Sequence, residues 1–506
     1  MSFREEIVKR KRRTLRDDGN ILIMSIVIVA LLVATGLGYM KWSSDERWDT
    51  AYEEATVQAY FLAQAGLIER GLVYLRQVRA TQLPTGTVYL GPGFIKDAGD
   101  YFNVKVVRVL EQSQGNVFQR SDTYDIYSTG RAEFESHQIA GRSYGRRVRV
   151  ERDAKLRARL RSFSNYMYLT NYEVTQWDEV IWFWTEDSLW GRTHSNDFIG
   201  LKYSPHFFGP ISTCRDRFLY YAPDRIYFAY PPQFEVSPVM FPRTAETLRA
   251  NASPWVSSNN GQFMTRVWFQ SEQGIYIYQY PHGLEEEDKP SLYQPGENVV
   301  NRLHLGVQSF GAIFIDGQAE VYGCVRGMLS LGTSGNMYLV DNIWYDGTSR
   351  ACGDSIGLTF PHMLGLISES NIIIRDNRYN GKNDGFGQYS PQSIDNHSIT
   401  ICAGMVALDE SFTFEHQNDE WNSYQGTWPD ERGIIHLRGA VTQWRRGYVH
   451  RSNHGPPHGT GYGKDYKYDF RFDEYPPPYY LEAMDEEGRG MFDIMSWGEL
   501  KPQKRR

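Results

Sequence analysis

Apolar and polar positions alternate along this chain in three different ways. From Ile21 to Met40 the run ILIMSIVIVALLVATGLGYM holds twenty residues without a charge. At about 1.5 Å per residue it predicts a helix of about 30 Å, the depth of a bilayer's hydrocarbon core. A helix buried in a soluble core is rarely apolar on every face for so long. Residues 45–78 contain no proline, and Ala55, Ala59, Leu62, Ala63, Gly66, Leu67, Leu72 and Leu75 follow an approximate helical repeat. Span and amphipathic stretch therefore predict one transmembrane and stem helix over 20–78, whose apolar stripe needs a sheet or another helix to cover it.

Beyond about residue 80 the period shortens. Residues 101–109 (YFNVKVVRV), 124–128 (YDIYS) and 146–151 (RRVRVE) read as strands separated by turn-forming segments, which predicts a small β headpiece over 79–160. A β-rich middle region is expected over 161–300, with an aromatic run at Trp182, Phe183, Trp184 and Trp190 and an acidic, proline-containing excursion at 285–299. From 301 to 480 the chain falls into short rungs such as 306–317, 319–335, 336–346, 362–376, 398–411 and 433–447, divided by Gly, Asn, Asp and Ser. Short repeated strands bury their apolar sides only by stacking, so a parallel β-helix, or β-solenoid, is expected. Asn377–Asn396 and Gln417–Glu431 read as loops thrown out from the stack, and 481–506 as a charged C-terminal tail. The fold class is thus α+β, mainly β.

Charge gives the chain a direction. Arg4, Lys9, Arg10, Lys11, Arg12, Arg13 and Arg16 precede the span in a basic leader, 1–19, whereas Asp45, Glu46, Asp49, Glu53 and Glu54 dominate the other flank. The basic side is expected to stay in the cytoplasm of a bacterial cell, with the large domain outside the inner membrane. A net charge of -7 over 506 residues gives no reason to expect nucleic acid as a partner.

The basic leader ending in Gly19, followed by a hydrophobic helix that runs into QAYFLAQAGLIERGL, resembles the N-terminal region of type IV pilus assembly proteins of the PilX kind. These are minor pilin-like proteins. Asn20 and Met24 stand where major pilins carry an aromatic residue or Met and a Glu; loss of that Glu also occurs among minor pilins. The resemblance implies processing by prepilin peptidase between Gly19 and Asn20, packing of the stem among other pilin or pseudopilin stem helices, and contact with inner-membrane lipid. Segments GNMYLVDNIWYD, LGLISESNIII and RGAVTQWRRG resemble large bacterial surface proteins that share this N-terminus, which implies a place at the pilus or cell surface. Two other readings stay open: a single-pass cell-envelope protein independent of any filament, and a polysaccharide-acting hydrolase or lyase built on a β-helix.

Candidate chemistry is thin. His194, Asn196 and Asp197 could serve as ligands or an acid/base group, but a His-Ser-Asn-Asp run between Gly191 and Gly200 also reads as a turn bonded to its own backbone. GTGYG at 459–463 lacks the Lys-Ser/Thr ending of a phosphate loop, because Lys464 precedes Asp465. Asp409, Glu410, Glu415, His436 and Arg438 sit on turns or alternate with apolar residues, and no nucleophile elbow or zinc helix is present. No catalytic residue, metal or cofactor is expected. Of Cys214, Cys324, Cys352 and Cys402, a bridge between Cys324 and Cys352 is expected from their separation of 28 residues, about one or two rungs. The wealth of Tyr and Trp suits adhesion to a surface glycan or protein ligand.

Overall fold

The computed structural model describes residues 3–96, 98–109, 122–135, 138–139, 142–143, 147–175, 178–185, 187–285, 288–296, 298–308, 310–348, 356–375, 377, 379–380, 398–415, 431–451 and 460–500, with side chains from Leu22 onward except at 138–139, 142–143, 310, 431 and 460. One helix runs from Phe3 to Gly66 and continues, through a wider π turn at Leu67–Leu72, into Val73–Gln77. Its first half is bare. Leu22, Ile23, Val27, Leu31 and Leu32 are each more than half exposed, and the apolar stretch reaches a mean hydropathy of 2.4 with none of it buried. Such a surface is at home in lipid, where a helix satisfies its own backbone, and not in water. The helix is long and apolar enough to cross a membrane and supports an anchored topology.

The second half of the helix lies on a sheet. Ala55, Ala59, Leu62, Ala63, Leu67, Leu72 and Leu75 are buried there with Val106, Ile126, Ala132 and Leu156. Spacings of three and four residues hold these side chains on one helical face. The approach is closest at Gly130, where an added Cβ would stand 2.0 Å from the Ala59 carbonyl oxygen and 2.3 Å from the Ala63 nitrogen.

Strands Thr87–Tyr89, Gly99–Arg108, Thr123–Glu135, Arg147–Leu160 and Phe492–Glu499 lie side by side in that order, all antiparallel. The last of them corrects, at Phe492–Glu499, the expectation of a charged C-terminal tail over 481–506. Phe492 is buried, with its ring 6.0 Å from that of Tyr124, and Asp493 receives Arg161 at 2.5 Å and Arg192 at 3.2 Å. Everything from Arg161 to Met491 is therefore an excursion between two hydrogen-bonded neighbours of one sheet.

That excursion is a stack of parallel strands. Read along the stack, the order is Trp255–Ser257, Phe310–Asp316, Met328–Thr333, Met363–Ser368, Ile399–Ala407, Glu431–Arg445, Tyr168–Tyr172, Thr193–Ser195 and Ile211–Thr213, with every pair parallel. The chain thus enters in the middle at Tyr168 and runs out to one end at Ile211–Thr213. It returns along the outside as far as Trp255, then fills the stack back until Val441 stands opposite Tyr168. The returning segment buries Val239, Phe241 and Leu248 against Phe314, Ile367 and Val406 on the outer face. Inside, Thr333, Ser368, Gln443, Thr170, Ser195 and Thr213 are buried in one column of register partners.

A second parallel series, Phe263–Gln270, Ala319–Val325, Met337–Tyr345, Ile372–Ile374 and Phe412–Phe414, faces the first across a large apolar core. Corners between the series are tied by side chains. Asn371 donates to Asn336 at 3.2 Å and accepts from the Ser411 N–H at 3.1 Å, so polar turn residues stack rung on rung. A sequence boundary at residue 300 has no counterpart here, because 168–213 and 310–445 share one ladder. The reason is that rungs pair by register and not by order along the chain. Most of Asn377–Asn396 and of Gln417–Glu431 lies outside the described residues.

Candidate functional site

Where the two arms of the stack meet, only part of the ladder is continuous. Val441 donates its N–H to the Met167 carbonyl at 2.8 Å and Arg446 donates its N–H to Tyr172 at 2.9 Å, which zips one face shut. On the other faces the strands Trp182–Phe183 and Ser188–Leu189 begin stacks of their own and pair with nothing from the opposite arm among the described residues. The opening between them is a cleft of about 440 Å³, lined on one side by residues from Glu179 to Trp190 and on the other by residues from Gln443 to Lys467.

Buried charges form its floor. Arg446 is almost wholly buried and donates to Glu173 at 2.8 Å and to the Ile181 carbonyl at 2.9 Å, with its guanidinium 3.8 Å from the Phe183 ring centre. Burial alone would lower the Arg446 pKa; the nearby Tyr168 and Glu173 raise it above the ordinary guanidinium value and keep it charged. Lys464 crosses the opening to Asp187 at 2.7 Å, and Asp187 in turn accepts the Trp184 N–H at 3.0 Å. The Tyr448 hydroxyl donates to Glu179 at 3.1 Å, and the Arg451 guanidinium lies 4.4 Å over the Tyr448 ring. Burial, and after it the charge of Lys464, lowers the His450 pKa from the ordinary imidazole value, although Asp187 acts in the other direction.

Flat rings form the rim. Trp190 is 49% exposed and stacks on Phe208 at 3.9 Å between centres, which places Phe208 beside Tyr227 at 5.4 Å. Trp182 leans on Tyr221 at 5.8 Å. Of these residues the sequence singles out the tryptophans; Arg446, Glu173, Asp187 and Tyr448 escape notice, and the double arginine after a buried strand in WRRG is the signal that could have found them.

The residues singled out for chemistry are placed elsewhere. His194 is 3% exposed, between Leu169 and Ser212 in the ladder. Its Nδ1 meets the Ser212 hydroxyl at 2.9 Å and its Nε2 the Asn196 Oδ1 at 3.0 Å. An amide oxygen only accepts, so Nε2 carries the proton. Asn196 accepts the Val239 N–H at 2.9 Å and donates to the Val239 carbonyl at 2.7 Å, fastening the returning segment to the ladder. Cys214 lies 3.9 Å from His194, a pairing that could suggest a nucleophile and its base. The electrostatics oppose it: burial pushes the Cys214 thiol up to about 11 and the His194 imidazole down to about 4, so both stay neutral. Asp197 is bound by Arg215 at 3.2 Å.

Asp409 pairs with Arg243 at 3.3 Å, Glu410 with Arg445 at 3.8 Å, Glu415 with Arg375 at 3.3 Å and His436 with Asp465 at 3.0 Å. Arg438 lies two positions beyond His436 in the same strand, in register with Cys402 and Lys467. These groups have separate partners and do not converge on one centre. Among the described residues no three His, Cys, Asp or Glu side chains gather as a metal site. The Cys324–Cys352 bridge is corrected at Cys324, which is a free thiol, as is Cys214; Cys402 is the disulfide-bonded residue. The ladder partners of Cys324 are Gln270 and Trp344, so among the described residues no cysteine stands beside it in the ladder. Cys352 and the Gly19–Asn20 side chains lie outside the described residues.

No protein-family model matches this chain, and no curated protein matches it. Among solved structures it is similar to the competence-associated pilin ComZ from Thermus thermophilus, with 12% identity over 88% of this chain and 97% of that one and a TM-score of 0.29. At that score the superposition carries no argument of its own.

Proposed function

We infer that this chain is a minor pilin-like component of a type IV pilus or pseudopilus, whose stem lies among other stems and whose inserted parallel β-helix is presented outside the cell for assembly or adhesion. The supporting observation is on the sheathed half of the helix. Val57, Phe61 and Ile68 remain 53%, 61% and 41% exposed, although the opposite face is fully covered by the sheet. Spacings of four and seven residues align these three on one side. An apolar stripe that continues beyond the membrane span needs a partner in water, and another stem helix has the right shape for it.

The antiparallel sheet then acts as a pilin-type headpiece, and the coil is a cargo domain held at both ends by adjacent strands. The basic leader faces the cytoplasm and prepilin peptidase removes it after Gly19. Comparing the intact mass of the protein in cells with and without that peptidase tests the reading. A shorter chain in the presence of the enzyme, beginning at Asn20, is expected; identical masses would remove the filament from the proposal and leave a singly anchored envelope protein.

A further inference from the structure

We propose that the seam cleft between Trp182, Trp184 and Trp190 on one side and Arg446–Arg451 with Lys464–Lys467 on the other is a binding site for an oligosaccharide chain. This deepens the adhesion reading, and rests on it only for the coil being displayed outside the cell.

Size and shape come first. A concave opening of about 440 Å³ suits a ligand of a few sugar rings, and it is too small for a folded partner. Part-exposed planar rings around a polar floor fit carbohydrate chemistry, because a pyranose offers an apolar C–H face to an aromatic plane and hydroxyls around its edge. Trp182, Trp184, Trp190 and Tyr448 supply such planes. Beyond the cleft the rings continue from Trp190 to Phe208 to Tyr227, with Tyr227 46% exposed. Parallel strands about 4.8 Å apart carry that row from rung to rung, a track for a linear chain instead of a single sugar.

The floor gives the ligand's polarity. Lys464 and Arg446 are each bonded to a buried carboxylate, and Arg451 lies near Glu179, 3.9 Å away. Paired charges keep spare donors and acceptors for hydroxyl groups but leave little net field for a phosphate chain. An extended peptide is also disfavoured. The strand edges that open on the cleft have their backbone groups occupied by side chains: Arg446 takes the Ile181 carbonyl, Asp187 the Trp184 N–H and Met167 sulfur the Trp190 N–H. A peptide adding as a strand would find those partners taken.

Isothermal titration of the full-length chain, held in lipid nanodiscs free of sugar detergents, with chitohexaose and cellohexaose as probes provides the test. Saturable binding to at least one is expected. Trp190→Ala should weaken it tenfold or more while the chain stays folded with a melting temperature only a few degrees lower, since half of that side chain is already in water and the other half stacks on Phe208. Tyr448→Phe, which removes only a hydroxyl, should weaken it severalfold and guards against a variant that misfolds. Heat with neither hexasaccharide, heat only with a duplex oligonucleotide or an unstructured peptide, or an affinity untouched by both substitutions would overturn the site. The measurement needs no filament, so a failed peptidase comparison leaves it standing, and its own failure leaves the stem reading standing.

Discussion

Val441 stands opposite Tyr168 in parallel register, and this strand pairing joins Glu431–Arg445, filled late in the chain, to Tyr168–Tyr172, the first strand of the stack. The strands pair parallel from Trp255 through the seam to Thr213, yet the chain enters this stack in the middle. Entry and exit therefore emerge near each other, at Arg161 and Met491, where the Arg161 N–H donates to the Met491 carbonyl at 2.8 Å. An insertion between two adjacent strands requires that closeness of ends.

The seam is held by the buried pair Arg446–Glu173. Arg446→Met leaves a carboxylate buried without its cation and should cost about 3–5 kcal/mol, seen as a lower urea midpoint. The double variant Glu173→Gln/Arg446→Met should recover part of that loss. If the two single costs simply added in the double variant, the pair would not be coupled.

The helix is seated by the absence of a side chain at Gly130. Gly130→Val drives carbon into the Ala59 and Ala63 backbone and should destabilise by about 3 kcal/mol, lowering the melting temperature. Gly498→Ala, on the same sheet with no atom within 4 Å of the added carbon, should stay within about 1 kcal/mol of the parent.

His194 makes the coil acid-sensitive. Burial, the largest effect, and the charges of Arg161 and Arg192 hold its pKa near 4, despite the hydrogen bond to Asn196 that acts upward. The unfolded chain therefore takes up a proton near the usual histidine value while the folded chain does not. Stability from this group is full above about pH 6.5 and falls as the pH drops toward 4, a loss of roughly 3 kcal/mol. Imidazole nitrogen shifts that titrate near pH 6.5 in the folded protein would contradict the burial.

Thiol chemistry separates the cysteines. Cys214 and Cys324 thiols are both pushed up to about 11, chiefly by burial, so neither should react quickly with iodoacetamide in the folded state at neutral pH. After unfolding without reductant, peptide mapping should find both alkylated and Cys402 protected until reduction. Protection of Cys324 under those conditions would reverse the assignment.

Local periods were legible from the sequence and long-range pairings were not. The bare and covered halves of the stem follow from runs of apolar residues at one spacing, and strands such as Gly99–Arg108 from alternation. Phe492–Glu499 was hidden because only Phe492 is buried in it, so its pattern is too weak to mark a strand. Rung order was hidden for a different reason: Leu169, His194 and Thr442 share a column although nothing local ties residue 169 to residue 442. One side of the candidate site was visible as the aromatic run Trp182, Phe183, Trp184 and Trp190; the other side needed the seam to close.

The sharpest check is to shear surface filaments from cells and identify the N-terminal peptide of this chain by mass spectrometry. A peptide beginning at Asn20 in the filament fraction is expected. An intact Gly19–Asn20 bond, recovered only with the membranes, would contradict the stem's place among other stems.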